Sequence, residues 1–187
     1  MLQHAFKEWA VICKALALGK QSILLRKGGV AEDFEVEHTR FWLYPTYVHQ
    51  QEGGIQAEAR PLLEEAKRER PAPGIVRLSH WVEVTGIYKV HDLIPALLLS
   101  HLHLWSDETV EKRFRYRTPG IYVLAVRVHE AEKAADVPET AAYAGCKSWV
   151  ELDQSVSTAR SRAVLSDERY ADLTGSLDLL LRPTGMA

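Results

Sequence analysis

The sequence is poor in the features that announce a protein's class. It holds two cysteines, Cys13 and Cys146, in 187 residues. That is too few for a disulfide framework, and a reducing cytoplasm is the natural setting. It has little excess charge of either sign. With a formal net charge of −2, the field of the whole molecule does not hold nucleic acid or an anionic membrane, so any such partner must be met by a local patch. Long apolar runs are also missing. Stretches such as Leu93–Leu99 are too short to span a bilayer. Lys7 and Glu8 interrupt the N-terminal segment and leave no apolar core for a signal peptide. No membrane partner is expected, and neither an internal repeat nor a low-complexity segment is present.

What the chain does have is ordinary globular material, 47% hydrophobic and 26% charged. Its length suits a single domain that buries about 70% of the surface of its unfolded chain. Phe6, Trp9, Ala10, Cys13, Leu16 and Ala17 recur at helical spacing, which predicts a helix over about 3–18 ending at Gly19. Trp9–Cys13 is also compatible with a strand. A short strand, SILLR, then runs toward Gly28-Gly29. Phe41–Tyr47 is an aromatic strand in which Phe41 and Leu43 oppose Trp42 and Tyr44, with Pro45 at an edge or end. Ala57–Arg70 reads as a charged helix, and Pro71–Gly74 as a turn.

Ile75–Val90 alternates as strands, with Val76, Leu78 and His80 opposite Arg77 and Ser79. Asp92 is placed to cap a helix through about Leu102, and Ser106 to cap the next. Ile121–Val128 reads as a strand buried on both faces, followed by a loop rich in Ala, Glu and Asp and a short strand at Ser148–Leu152. Ser166 opens a last helix with Tyr170, Leu173, Leu177 and Leu180 on one stripe, stapled by Leu165 and ended by Arg182-Pro183. Helices and strands interleave without a βαβ rhythm. The expected fold is α+β, with a mixed, largely antiparallel sheet flanked by helices in a single compact domain.

Five places carry chemistry worth weighing. In the segment FEVEHTRFWLYPTYVHQQE, His38 and His49 flank a strand and could converge with Glu37 or Glu52 on zinc, iron or manganese. The alternative is a solvated strand face. In Lys112–Arg117, basic and aromatic residues alternate. Arg113, Arg115 and Arg117 suit phosphate, and Arg26 and Lys27 could join them. The alternative is a helix end paired with Glu108 and Glu111. His101 and His103 share a face only in a strand, so a joint metal site is not expected there. Cys146 beside Lys147 has no local base, and a buried small residue is the simpler reading. Finally, Glu52, Arg60, Leu62, Glu64 and Glu65 fall at the spacing of a Nudix-box helix, where carboxylates hold magnesium at a diphosphate. Thr46, Pro61 and Lys67 depart from that box.

Several blocks are taken together: Glu8-Trp9-Ala10, Arg26-Lys27-Gly28-Gly29, LYPTY-x-HQ at Leu43–Gln50, His103-x-Trp105, and Gly145-Cys146-Lys147-Ser148-Trp149. In these the chain resembles a bacterial family of uncharacterised proteins, domain of unknown function 1802. The resemblance covers about residues 5 to 152, a family-like core to about 155, with 156–187 as a C-terminal extension carrying the terminal helix. It implies a link to restriction–modification systems, through association with a restriction-endonuclease-type domain, and by analogy a DNA-related role. No Asp…Glu-x-Lys nuclease core is evident, which argues against cutting by these residues. The run Arg115–Pro119 lacks a second lysine that the resemblance leads one to expect.

The leading expectation is a module that binds nucleic acid or another phosphorylated ligand. Arg26, Lys27, Arg113, Arg115 and Arg117 would supply charge; Tyr44, Tyr47, His49, Gln50 and Trp105 would supply stacking and hydrogen bonds. The alternatives are a metal-dependent phosphate-ester or anhydride hydrolase using Glu37, His38, His49, Glu52 and Glu64, and a protein–protein adaptor. The residues name no cofactor.

Overall fold

The segment 3–18 is not one helix. In the computed structural model, which describes residues 1–27, 38–48, 50–145 and 147–181, it divides into β1 (Leu2–Trp9) and α1 (Ala10–Ala17). The neighbours explain the difference. β1 is an interior strand, parallel to β3 (Arg40–Thr46) on one side and antiparallel to β6 (Trp149–Val156) on the other. Its side chains alternate between two buried environments: Ala5 enters one, and Phe6 and Glu8 point to the opposite face. Tertiary pairing outweighs the helical spacing here. The run Trp9–Cys13, also read as strand-compatible, falls within α1 from Ala10 onward.

Among the described residues seven strands form one mixed sheet in the order β2 (Ile23–Arg26), β5 (Ile121–Pro138), β4 (Ile75–Val90), β3, β1, β6, with β7 (Arg162–Ala163) pairing to β5. The β1–β3 pair is parallel, and the other pairings are antiparallel. The fold is therefore α+β, with a mixed, largely antiparallel sheet flanked by helices.

The loop expected after Val128 is strand. β5 continues to Pro138 because the start of β4 lies beside it, pairing Ile75 with Pro138 and Leu78 with Ala135. That long antiparallel pair is bent by register shifts between Leu78 and His80 and between Val84 and Gly86. The first shift also corrects the alternation expected along β4. Val76 and Leu78 are buried, but His80 lines the same cavity as Arg77 and Ser79.

β3 shows what the sheet separates. Phe41 and Leu43 enter the main core beneath the helices, with Val11, Ile12, Leu16 and Leu63. Trp42 and Tyr44 enter a second core with Val76, Leu78, Val150 and Leu152. Both faces are buried. The helices α2 (Arg60–Arg68), α3 (Leu93–Leu98), α4 (Asp107–Arg115) and α5 (Asp167–Leu181) complete the layer.

The helix expected from Asp92 to Leu102 is shorter. α3 ends at Leu98, a 3-10 turn follows over Leu99–Leu102, and the Asp92 side chain makes no cap bond. Likewise, the first turn of the helix expected at Ala57–Arg70 is 3-10 (Ala57–Ala59), with α2 proper starting at Arg60. Ser106 does cap α4, accepting from the Thr109 N–H at 3.3 Å. α5 buries Leu177 and packs Leu173 and Leu180 against the main core. No helix among the described residues is long and apolar enough to cross a membrane.

Candidate functional site

Three strand ends and the start of a helix meet at one place. Glu8 and Trp9 close β1, Arg26 closes β2, Thr46 closes β3, and Trp105 stands just before α4. Backbone and side chains knit them together. The Thr46 hydroxyl donates to the Glu8 carbonyl at 3.0 Å. The Gln50 side-chain oxygen accepts from the Val11 N–H at 2.9 Å, capping a helix whose own N-cap side chain makes no such bond. The Trp9 ring meets Trp105 edge to face, with centroids 4.8 Å apart. The chain passes so close to Trp9 at Gly54 that a Cβ there would lie 2.5 Å from the indole. Glycine is required at that position for packing.

The cations of the site are held in different ways. Arg113 lays its guanidinium over Trp105, 3.7 Å from the ring centroid, and reaches the Leu25 carbonyl at 3.4 Å. Arg26 lies 4.3 Å over the Phe6 ring. Lys27 directs its ammonium to the carbonyls of Phe114, Thr118 and Gly120. It thereby ties the end of β2 to the turn after α4. Arg115 pairs with Glu111 at 2.7 Å. Arg117, exposed in the left-handed region at φ +59°, sits 5.1 Å over the Tyr116 ring.

At the centre lies Glu8, 7% exposed. Its Oε1 accepts from the Trp9 N–H at 2.7 Å. Burial pushes its carboxyl above the usual range, opposed in turn by Arg113, by the Trp9 N–H and by Arg26. Burial lowers Arg113 in the same way, opposed by Glu8. The two feel each other's charge, yet no ion pair within 4 Å joins them. His103 is buried close by. Its Nδ1 accepts from the Trp105 N–H at 3.2 Å, and burial, then Arg113, pull its pKa down to about 4. The ring is neutral at pH 7 with its proton on Nε2. That Nε2, Trp105 Nε1 and Gln50 Nε2 are buried without a partner among the described residues.

The other residues weighed from the sequence go elsewhere. Tyr44 enters the second core, donating to Glu139 at 2.9 Å, with its phenol raised first by burial and then by Glu139. Tyr47 lines a 460 Å³ cavity between α1, β3 and β4, along with Leu43, Pro45, Lys14 and His80. Arg70 lies 5.1 Å over the Tyr47 ring. His38 stacks on His4 at 3.4 Å and meets Trp149 edge-on. Glu52 lies 3.9 Å from Arg60, and Glu64 pairs with Lys67 at 2.7 Å. Glu37, His49, Cys146, Gly28-Gly29 and Arg182-Pro183 lie outside the described residues. Among the described residues no three His, Cys, Asp or Glu side chains cluster in a way that could hold a metal ion.

The block around Trp149 is structural in its contacts. Lys7 donates through its backbone to Ser148 at 2.8 Å and through its ammonium to the carbonyls of Tyr143 and Gly145. Trp149 itself meets Phe6 and Phe41 edge to face.

The sequence offers Glu8 only within the block Glu8-Trp9-Ala10, and its electrostatic coupling to Arg113 is not read there. The available signal was a carboxylate two residues after Phe6, on the buried face of a strand; it is invisible once the segment is read as a helix.

The class is thus an α+β domain with a mixed, largely antiparallel sheet, in which Glu8, Trp9, Thr46, Arg26 and Trp105 come together where β1, β2 and β3 end. The chain belongs to the family described as domain of unknown function (DUF1802), whose model matches residues 5–176 and so extends well into α5. No curated protein matches the chain. Among solved structures it is similar to the crystal structure of ASCH from Zymomonas mobilis, at 12% identity and a TM-score of 0.46, covering 92% of this chain and 93% of that one. Two mutant forms of the same ASCH protein are similar at 11% identity and a TM-score of 0.48, covering 92% of this chain and 94% and 96% of theirs.

Proposed function

We propose that the protein is a binding module for a phosphate-bearing ligand, nucleic acid foremost. It would grip that ligand with Arg26, Arg113, Arg115 and Arg117, of which Arg113 lies against Trp105. The observation that carries this reading is the Lys27 clamp. By holding the carbonyls of Phe114, Thr118 and Gly120, it brings the end of β2 beside a turn about ninety residues away in the chain. That would set Arg26 and Arg117 near each other as a local basic surface on a molecule of net charge −2. Guanidinium forks match phosphate oxygens in pairs, and the half-buried Trp9 indole would offer a surface to a base, while Trp105 is fully buried beneath Arg113. The family's association with restriction–modification systems makes DNA a natural first ligand to try.

The test is titration of single-stranded DNA, RNA and nucleotides at two salt concentrations. Binding should weaken steeply as salt rises, and each of Arg26→Ala and Arg117→Ala should lower the logarithmic salt slope by about 0.7 on single strands. Absence of binding to any of these at low salt overturns the reading.

A further inference from the structure

The cavity between α1, β3 and β4 has a volume of about 460 Å³, and none of Arg26, Arg113, Arg115 and Arg117 lines it. Local sequence explains why the space is there. On α1, Ala10, Cys13 and Ala17 follow one another at helical spacing on the face toward the cavity, and α2 meets them with Ala66. On β3, Trp42 and Tyr44 enter the second core. The alternate residues Leu43 and Pro45, with Tyr47 just past the strand end, therefore turn to the cavity. Small helical side chains opposite a strand leave a gap that leucine would close. Interiors are otherwise packed nearly to crystal density, and unfilled apolar space costs stability. The volume falls within the range of small-molecule sites, roughly 300–1,000 Å³.

The polar groups on the wall limit what can enter. The charged ones are engaged. Lys14 donates to Glu69 at 2.6 Å and lies 3.5 Å from Glu65. Arg77 forks onto Asp136 with both bonds at 2.7 Å. Glu130 is paired with Arg162 at 2.7 Å. An anion would have to take Lys14 or Arg77 from carboxylates that stay beside it, and a cation meets the reverse. Two neutral groups are left over. Arg70 covers the Tyr47 ring, but the Tyr47 hydroxyl has no hydrogen bond among the described residues. His80 meets Ser79 through Nδ1 at 2.9 Å, and its Nε2 has no hydrogen-bond partner among them. Burial raises the phenol pKa and lowers that of the imidazole, so both stay uncharged at neutral pH. We infer that this cavity is a binding site for an uncharged, largely apolar small molecule, whose body packs on Ala10, Cys13, Ala17 and Leu43 and whose hydroxyl bonds to Tyr47. The site is separate from the phosphate-binding surface proposed above, and either can fail without the other.

The experiment titrates the full chain with three probes of one shape, 2-naphthol, naphthalene and 2-naphthoate, and follows the alanine methyl resonances by NMR. 2-Naphthol should shift the methyls of Ala10, Ala17 and Ala66. It should bind roughly fivefold more tightly than naphthalene, the difference of one hydrogen bond, and more tightly than 2-naphthoate. Tyr47→Phe, which removes only the hydroxyl, should erase the preference over naphthalene. Ala17→Leu, which fills the space, should weaken 2-naphthol roughly tenfold by overpacking the occupied cavity, without lowering the urea midpoint of the free protein. No shift at these methyls up to the solubility limit of 2-naphthol overturns the inference. So does tighter binding of 2-naphthoate, and neither result needs a variant to fold. Undiminished binding by folded Ala17→Leu, or a preference that survives in folded Tyr47→Phe, also overturns it.

Discussion

Two buried regions lie on opposite faces of β3, and they treat charge differently. Behind Trp42 and Tyr44, polar groups touch their partners: the Tyr44 hydroxyl meets Glu139, and the Lys7 ammonium meets the carbonyls of Tyr143 and Gly145. At the edge of the other core, Glu8 and Arg113 interact through space and do not touch. The first region closes its charged and phenolic groups on partners, leaves the Trp42 Nε1 buried without one among the described residues, and reads as architecture. The second leaves buried donors on Trp105, His103 and Gln50 and holds a carboxylate and a guanidinium that do not pair, which is expensive for folding and useful for binding. The comparison teaches that in this fold the candidate site is marked by opposite charges that do not close on each other, since buried indole donors without partners occur on both sides.

The sharpest way to break the comparison is to damage the architectural side. Trp42 is fully buried between β3 and the arm of β4 and β5. Trp42→Ala should cost about 3–5 kcal/mol in urea unfolding. The salt slope of ligand binding, measured at a temperature where the variant is folded, should not move. A changed slope would mean the two regions are not separable.

The next effect in size lies on the other side and is read by pH. The folded pKa of His103, about 4, is below its ordinary value of 6.5. Between those values the unfolded chain binds the extra proton and the folded one does not. The contribution is therefore intact above pH 6.5 and is lost as pH falls toward 4, by up to about 3 kcal/mol. His80 and His129 are shifted in the same direction by burial and add slope of the same sign. Glu8, raised above 4.5, acts oppositely: its contribution is present at low pH and lost as pH rises through its folded value. The difference between the unaltered protein and His103→Gln, followed by urea unfolding from pH 7 to 4, isolates His103. The loss on acidification should be smaller in the variant.

How much of this was legible in the sequence varies by element. The alternation of Phe41 and Leu43 against Trp42 and Tyr44 is a local property of one strand, and it reads correctly as two faces. The Ser106 cap and the Leu173–Leu177–Leu180 stripe are local in the same way. β1 and the second half of β5 are not legible, because their strand character comes from neighbours far away in sequence: β3 and β6 for one, the start of β4 for the other. The site divides likewise. Arg26, Arg113 and Trp105 stand out by residue type. That Arg113 turns inward onto Trp105, and that a glutamate waits near it, depends on where α4 lies against β1, and no spacing encodes that.

Lys27 gives the smallest and most discriminating test. From residue type it belongs with the phosphate-contacting cations. In the structure its ammonium is surrounded by three backbone carbonyls, and partial burial lowers its pKa. Carbonyls at the end of α4 have no helical partner of their own, so a cation there serves as a cap. Lys27→Met keeps the length of the side chain and removes the donors. It should lower stability by about 1–2 kcal/mol. It should also raise the hydrogen-exchange rate of the Gly120 N–H, which donates to Phe114 at 3.1 Å across the same turn. If the lysine positions Arg117 without touching ligand, the variant loses affinity because the turn loosens, while a short diamine cannot restore it. Were Lys27 a direct phosphate contact, its loss would lower the salt slope as Arg26→Ala does and leave the Gly120 exchange rate where it was. The two measurements separate the parts of the site that hold the ligand from the part that holds the site.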